Sequence, residues 1–208
     1  MAKRLGVFCI LLGICCMIAS VGFILYNSRE EENARNASHS ILQDIRQTLP
    51  DHHRAERPTE GNVQDAPAEI PAAVPQEMLT TQVDGYDCLG ILSIPVLELE
   101  LPVLADWSYA KLKVAPCHYF GSYYGTDFVI AAHNYQTHFG RLPELQPGDL
   151  ILFTDVSGGV HGYEVVLSET LPGNATEAMI ASGFDLSLYT CTPGGASRVT
   201  VRCSAINP

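Results

Sequence analysis

From Leu5 to Tyr26 the chain runs 22 positions without a charged residue, directly after Lys3 and Arg4. As an α-helix this run rises about 33 Å, enough to cross the hydrocarbon core of a bilayer. No other feature constrains the chain as strongly, because a segment so long and apolar has to leave water. A cleaved signal peptide is the competing reading, but its apolar region is usually about 7 to 15 residues, and no clear small-x-small cleavage site follows here. Residues 5–26 therefore read as a retained transmembrane helix behind a cytoplasmic tail of residues 1–4. Lys3 and Arg4 precede the span, whereas Arg29 and the acidic Glu30, Glu31 and Glu32 follow it. The positive-inside rule leaves the N-terminus in the cytoplasm, so the expectation is a single-pass cell-membrane protein with its folded part extracytoplasmic.

The formal charge of −11 divides as +2 before the span, −5 over residues 27–83 and −8 over residues 84–208. An acidic ectodomain without a basic stripe lacks the electrostatic footprint of a nucleic-acid binder, and that class is set aside. Of seven cysteines, Cys9, Cys15 and Cys16 lie in the span. Cys88, Cys117, Cys191 and Cys203 remain, at spacings that match no zinc site and no dense disulfide framework.

Residues 27–83 read as an extracytoplasmic stalk. Ile41, Leu42, Ile45 and Leu49 recur at helical spacing, which predicts one short amphipathic helix ending before Pro50. Pro58, Pro67, Pro71 and Pro75 then stand among Ala, Glu and Gln, a composition suited to an extended spacer that holds the folded part clear of the membrane. From Asp84 short apolar runs alternate with Gly, Pro and Asp, the pattern of an all-β barrel or sandwich over residues 84–208. Expected strands are Cys88–Ile94, Leu97–Val103, Phe128–His133, Asp149–Thr154, Gly162–Ser168, Leu186–Cys191 and Arg198–Cys203. Short helices are expected at Trp107–Val114 and at Ala175–Ser182, the latter capped by Asn174 or Thr176.

Cys191 ends a β-run and passes at once into Thr-Pro-Gly-Gly, so its thiol can be exposed, although most free cysteines are small buried hydrophobes. Arg198 opens the next strand and shares a face with Thr200 and Arg202. A solvated outer face explains Arg202 as well as a function does. A thiol nucleophile needs a proton partner, for which His118, His133, His138 and His161 are the candidates outside the stalk. His133 ends the apolar run Phe128-Val-Ile-Ala-Ala at the position where a strand delivers a side chain to the rim, and His138 is the runner-up.

The stretches Ile130-Ala-Ala-His133-Asn, Phe139-Gly-Arg-Leu142, Gly148-Asp149, Ser187-Leu-Tyr-Thr-Cys191 and Arg198-Val-Thr-Val together resemble the sortases of Gram-positive bacteria, over roughly Gly90 to Cys203. Ser187 stands where that family has Thr, and Ala132 where many relatives have Gly. The resemblance implies a closed eight-stranded β-barrel, an all-β fold with short helices. It also implies a cysteine transpeptidase with Cys191 as nucleophile, His133 as proton carrier and Arg198 as oxyanion partner. Its substrate would be a surface protein bearing a C-terminal sorting signal similar to Leu-Pro-x-Thr-Gly. The acyl group would pass through a thioester to an amine of a peptidoglycan precursor or a pilin, with no cofactor. Asp127, Asp149, Asp155, Glu98 and Glu100 show no EF-hand-like spacing and read as solvated surface acids.

Two other functions compete. An L,D-transpeptidase sets its nucleophile in Ser-x-Gly-Cys-x-Arg, whereas Cys191 follows Tyr189-Thr190. A catalytically silent tethered binding module would lose one of Cys191, His133 or Arg198, and all three are present. The cleft walls are expected from Glu169–Asp185. A chain ending directly after the last strand favours a class B or class D relative over the pilin-polymerising class. Side chains in a strand alternate between faces, so Cys191 and Arg198 can meet over one substrate only if they share a face, which favours Cys191 opposite Arg198, Tyr189 opposite Thr200 and Ser187 opposite Arg202. Arg202 then lies about 13 Å along the strand from Arg198, too far for the same oxyanion.

Overall fold

The computed structural model describes residues 2–49 and 77–206. Its folded part is built from β1 (Thr81–Val83), β2 (Tyr86–Ile94), β3 (Leu99–Leu104), β4 (Cys117–Phe120), β5 (Phe128–Ala131), β6 (Leu150–Asp155), β7 (Val160–Pro172), β8 (Leu186–Cys191) and β9 (Ser197–Ala205). The sheet order is β1-β2-β3-β4-β5-β8-β9-β7-β6, and a further pairing of β2 with β6 closes eight of the strands into a barrel. Inward side chains such as Leu92, Phe128, Ile130, Phe153, Leu188 and Val201 fill its interior. The expected closed eight-stranded barrel is the fold observed.

Several boundaries differ for physical reasons. β1 and β2 form a hairpin through Asp84 (φ 50°) and Gly85 (φ 80°), so a domain boundary drawn at Asp84 cuts through a turn. Asp-Gly is the dipeptide that accepts two successive positive φ angles and marks such hairpins. The strand expected from Leu97 starts at Leu99, because Pro95–Leu97 wind into a 3₁₀ turn that Glu98 ends in the left-handed region. β4 was not expected: four residues directly after Pro116 are too few to display a period. β5 ends at Ala131, leaving His133 just beyond the ladder. The short helices are α2 (Tyr109–Leu112), where the Ser108 hydroxyl accepts from Lys111 N–H, and α3 (Thr176–Ile180), whose N-cap is Ala175 with no side-chain cap.

The N-terminal helix differs most. α1 runs unbroken from Ala2 to Thr48, and it is long and apolar enough to cross a membrane. The short helix expected before Pro50 is the end of this one. Ile41, Leu42 and Ile45 are buried against Val83, Cys88, Ile91, Leu104 and Cys117 of the barrel, and Ala34 and Ser38 are buried as well. Burying Ile41, Leu42 and Ile45 contributes about 1.5–3 kcal/mol each, enough to hold the helix down. Residues 27–48 are therefore part of the folded body; the expected proline-rich spacer, with Pro58, Pro67, Pro71 and Pro75, lies outside the described residues.

Candidate active site

Three adjacent strands deliver three side chains to one place. β5 pairs in parallel with β8 at a constant offset, Phe128 with Leu186 through to Ala131 with Tyr189. Ala132 N–H extends this pairing by donating to Tyr189 O (3.2 Å), and the Thr190 hydroxyl donates to Ala132 O (2.8 Å). His133, two residues beyond the end of β5, and Cys191, the last residue of β8, line the same cleft. On the other side β8 pairs antiparallel with β9, Cys191 opposite Arg198, Tyr189 opposite Thr200 and Ser187 opposite Arg202. This is the register the shared-face argument requires.

The β8–β9 turn fixes that register. Thr192 N–H donates to Ser197 O (3.0 Å) and Gly195 N–H to Thr192 O (2.8 Å). Gly194 and Gly195 take φ of 83° and 74°, the left-handed region that a side chain resists. Arg198 Nη1 donates to Gly195 O (2.9 Å) and Ser197 O (3.1 Å), which anchors the guanidinium and leaves its other N–H groups for a ligand.

His133, Cys191 and Arg198 all line one cleft of about 200 Å³, with walls from Trp107, Tyr109 and Leu112 on one side and Pro172, Thr176 and Met179 on the other. The second wall lies in the segment Glu169–Asp185, as expected. Burial holds the His133 imidazole below its ordinary pKa, with the Lys113 charge adding to the effect and Glu30 opposing it. Nε2 of His133 is buried without a partner among the described residues, and the Tyr135 ring packs 5.0 Å from its own. Gly140 lets the loop after His133 fold back on itself: a Cβ there would stand 2.6 Å from Asn134 O.

The other candidates separate clearly. His118 engages Ala105 O and Gly121 O through its two ring nitrogens, and His161 pairs with Asp155 at 2.8 Å. Asp155 is not a solvated acid but a buried one, also accepting from the Ser157 and Gly159 N–H groups. Asp127 accepts from Ser182 and Gly183 and fixes the turn after α3. Cys88, Cys117 and Cys203 are free and buried, and burial pushes each thiol up to about 12, which leaves them unreactive at neutral pH. Cys191 alone of the cysteines past α1 is partly exposed. No group of three or more His, Cys, Asp or Glu that could hold a metal occurs among the described residues.

His138, the runner-up histidine, is 0% exposed, with neither ring nitrogen partnered among the described residues. Burial, with His133 nearby, lowers its pKa to about 4. Since the folded value lies below the unfolded one of about 6.5, His138 contributes stability that is present above pH 6.5 and lost as pH falls to about 4, about 3 kcal/mol in all. Urea unfolding as a function of pH should show that loss, and His138→Leu should flatten it. An unchanged slope in the variant would remove His138 as its source.

Arg202 is likewise not on a solvated face. It is 1% exposed, and it donates to Glu169 Oε1 (2.8 Å), Ser187 Oγ (2.8 Å) and the α3 carbonyl of Ala178 (2.6 Å). It thereby clamps α3, and with it the Thr176–Met179 wall, to the β8–β9 hairpin. Its pairing with the small hydroxyl of Ser187 was the available signal of an inward position.

A family model described as "Sortase domain" matches residues 92–206. No curated protein matches the chain in sequence. Among solved structures, sortase C from Streptococcus pneumoniae is similar at 26% identity and TM-score 0.52, covering 58% of this chain and 70% of that one. Sortase A from Corynebacterium diphtheriae is similar at 24% identity and TM-score 0.54, over 59% of this chain and 62% of that one. Sortase C of Clostridium perfringens with the C-terminal cell wall sorting motif aligns at 22% identity and TM-score 0.53, over 59% and 72%. Identities this low establish likeness of fold and do not separate one class from another.

Proposed function

The chain belongs to the sortase family, and from that premise we propose that it is a membrane-anchored cysteine transpeptidase acting through Cys191, His133 and Arg198. The observation that carries the reading is the row of these three residues at the ends of β5, β8 and β9, in one cleft. The apolar part of α1 is the anchor, with the N-terminus cytoplasmic and the barrel outside.

The chemistry follows from the groups present. Neutral His133 takes the Cys191 proton, and the thiolate attacks the Thr carbonyl carbon of a Leu-Pro-x-Thr-Gly-like signal. Arg198 hydrogen-bonds the oxyanion of the tetrahedral intermediate, a charge-assisted contact that is strongest where bound substrate displaces water. The C–N bond breaks as imidazolium protonates the leaving amine, giving a thioester on Cys191. An acceptor amine of a peptidoglycan precursor or a pilin then attacks, loses its proton to His133 and releases Cys191. Nothing is oxidised or reduced, and no cofactor enters.

A panel of labelled sorting-signal peptides, with and without an amine acceptor, tests this against a labelled tetrapeptide stem. Cleavage of a sorting peptide and a thioester adduct on Cys191 are expected; turnover of the stem alone would favour an L,D-transpeptidase-like enzyme. An inert Cys191 toward a thiol-directed peptide probe would favour the silent binding module.

The two arginines should separate by readout. Arg198→Ala is expected to lower kcat/KM on the order of a hundredfold or more, as loss of an oxyanion donor does, with little change in Tm. Arg202→Ala should instead cost about 3 kcal/mol or more of stability, because it strands buried partners of a buried charge. Equal kinetic loss from both variants at unchanged Tm would refute the division.

A further inference from the structure

The continuity of α1 fixes where the cleft stands relative to the membrane. The helix leaves its apolar run without a break and packs against the barrel through Ile41, Leu42 and Ile45, so span and barrel are joined by one unbroken helix. One turn past Tyr26, Glu30 Oε1 accepts from both the Tyr26 hydroxyl (2.9 Å) and the Lys113 ammonium (3.0 Å). Lys113 closes α2, and Leu112, Tyr109 and Trp107 of that segment form one wall of the cleft. A helical turn rises about 5.4 Å, and the polar layer outside the hydrocarbon core is roughly 5 to 8 Å deep on each side. The α2 wall therefore stands at headgroup height.

Its chemistry suits that height. Trp107 is 42% and Tyr109 78% exposed, and these are the side chains that favour the membrane–water boundary, an apolar ring with a polar edge. Lys113 is paired with Glu30, and Lys111 with Asp106, so the contact needs no anionic lipid. We propose that the Trp107–Lys113 wall rests in the headgroup layer of the membrane that α1 crosses, and that the cleft opens at the lipid surface. This rests on the anchoring read above, and its test separates the two.

Trp107 is the single tryptophan of the chain, so it reports without interference. The full chain is reconstituted in zwitterionic vesicles and first shown to resist alkaline extraction; loss of the protein at this step overturns the anchoring and the proposal together. Trp107 emission is then compared in vesicles carrying a headgroup nitroxide lipid, a lipid brominated deep in the acyl chain, or neither. Strong quenching by the headgroup nitroxide, little by deep bromine, and no dependence on added anionic lipid are expected. A second reporter, Trp107→Phe with Val96→Trp, sits in the turn before β3, whose Glu100 pairs with Arg46. Arg46 lies 16 residues beyond Glu30, about 24 Å farther along α1, and this reporter should remain unquenched. Equal emission of Trp107 in all vesicles, with the protein retained, overturns the proposal and leaves the anchoring standing. Equal quenching of both reporters also overturns it, since the barrel would then lie flat on the bilayer.

Discussion

Replacing Cys191 with alanine is expected to abolish both hydrolysis of a sorting peptide and its transfer to an amine, a loss on the order of 10⁵-fold or more, since removing a covalent nucleophile leaves only binding and the oxyanion contact. The fold should survive, because Cys191 is only partly buried at the last position of β8 and takes no side-chain part in the β8–β9 turn bonds. The alternatives are already disfavoured: the thiols of Cys88, Cys117 and Cys203 are buried and protonated at neutral pH. Mass spectrometry of the peptide-treated protein checks the result. An alanine variant that still gave product at a comparable rate, or a thioester on another cysteine, would end the assignment.

Replacing His133 with alanine should cost on the order of a thousandfold or more in kcat/KM, the scale of a general acid–base group whose loss leaves both proton transfers to water. His138→Leu should cost far less, because its ring is enclosed away from the cleft. The pH profile adds an independent check. Burial lowers the His133 pKa, so the group is neutral and able to accept the Cys191 proton over the whole neutral range. Activity should therefore fall on the acid side only below the ordinary imidazole value of about 6.5, as His133 becomes protonated before substrate binds. A loss from His138→Leu equal to that from His133→Ala, or an acid limb above pH 6.5, would transfer the proton-carrying role elsewhere.

Much of this site can be read from local chemistry. A β-run ending in Cys191 before Thr-Pro-Gly-Gly specifies a strand and a tight reversal, because only residues such as Gly194 and Gly195 accept the left-handed angles required. That turn, with strand alternation, suffices to set Cys191 opposite Arg198. The Asp84-Gly85 hairpin was equally legible, and the β-pattern reading placed the boundary inside it. β4 had no such signal, since four residues beside Pro116 owe their strand geometry to the barrel neighbours that pair with them.

The apolar length of the N-terminal helix, the alternating barrel strands and the register of the β8–β9 hairpin all depend on residues close together in the chain, and local pattern is enough to read them. The remaining features depend on contacts between distant segments. His133 and Cys191 line one cleft because β5 and β8, 58 positions apart, pair in parallel, a choice made by closure of the whole barrel. His138 and Arg202 are enclosed because distant segments cover them, and burial is a property that no local pattern encodes. The pattern of Ile41, Leu42, Ile45 and Leu49 is legible as amphipathic, but only the apolar face formed by Val83, Ile91, Leu104 and Cys117 turns that stretch from a spacer into a buried strut.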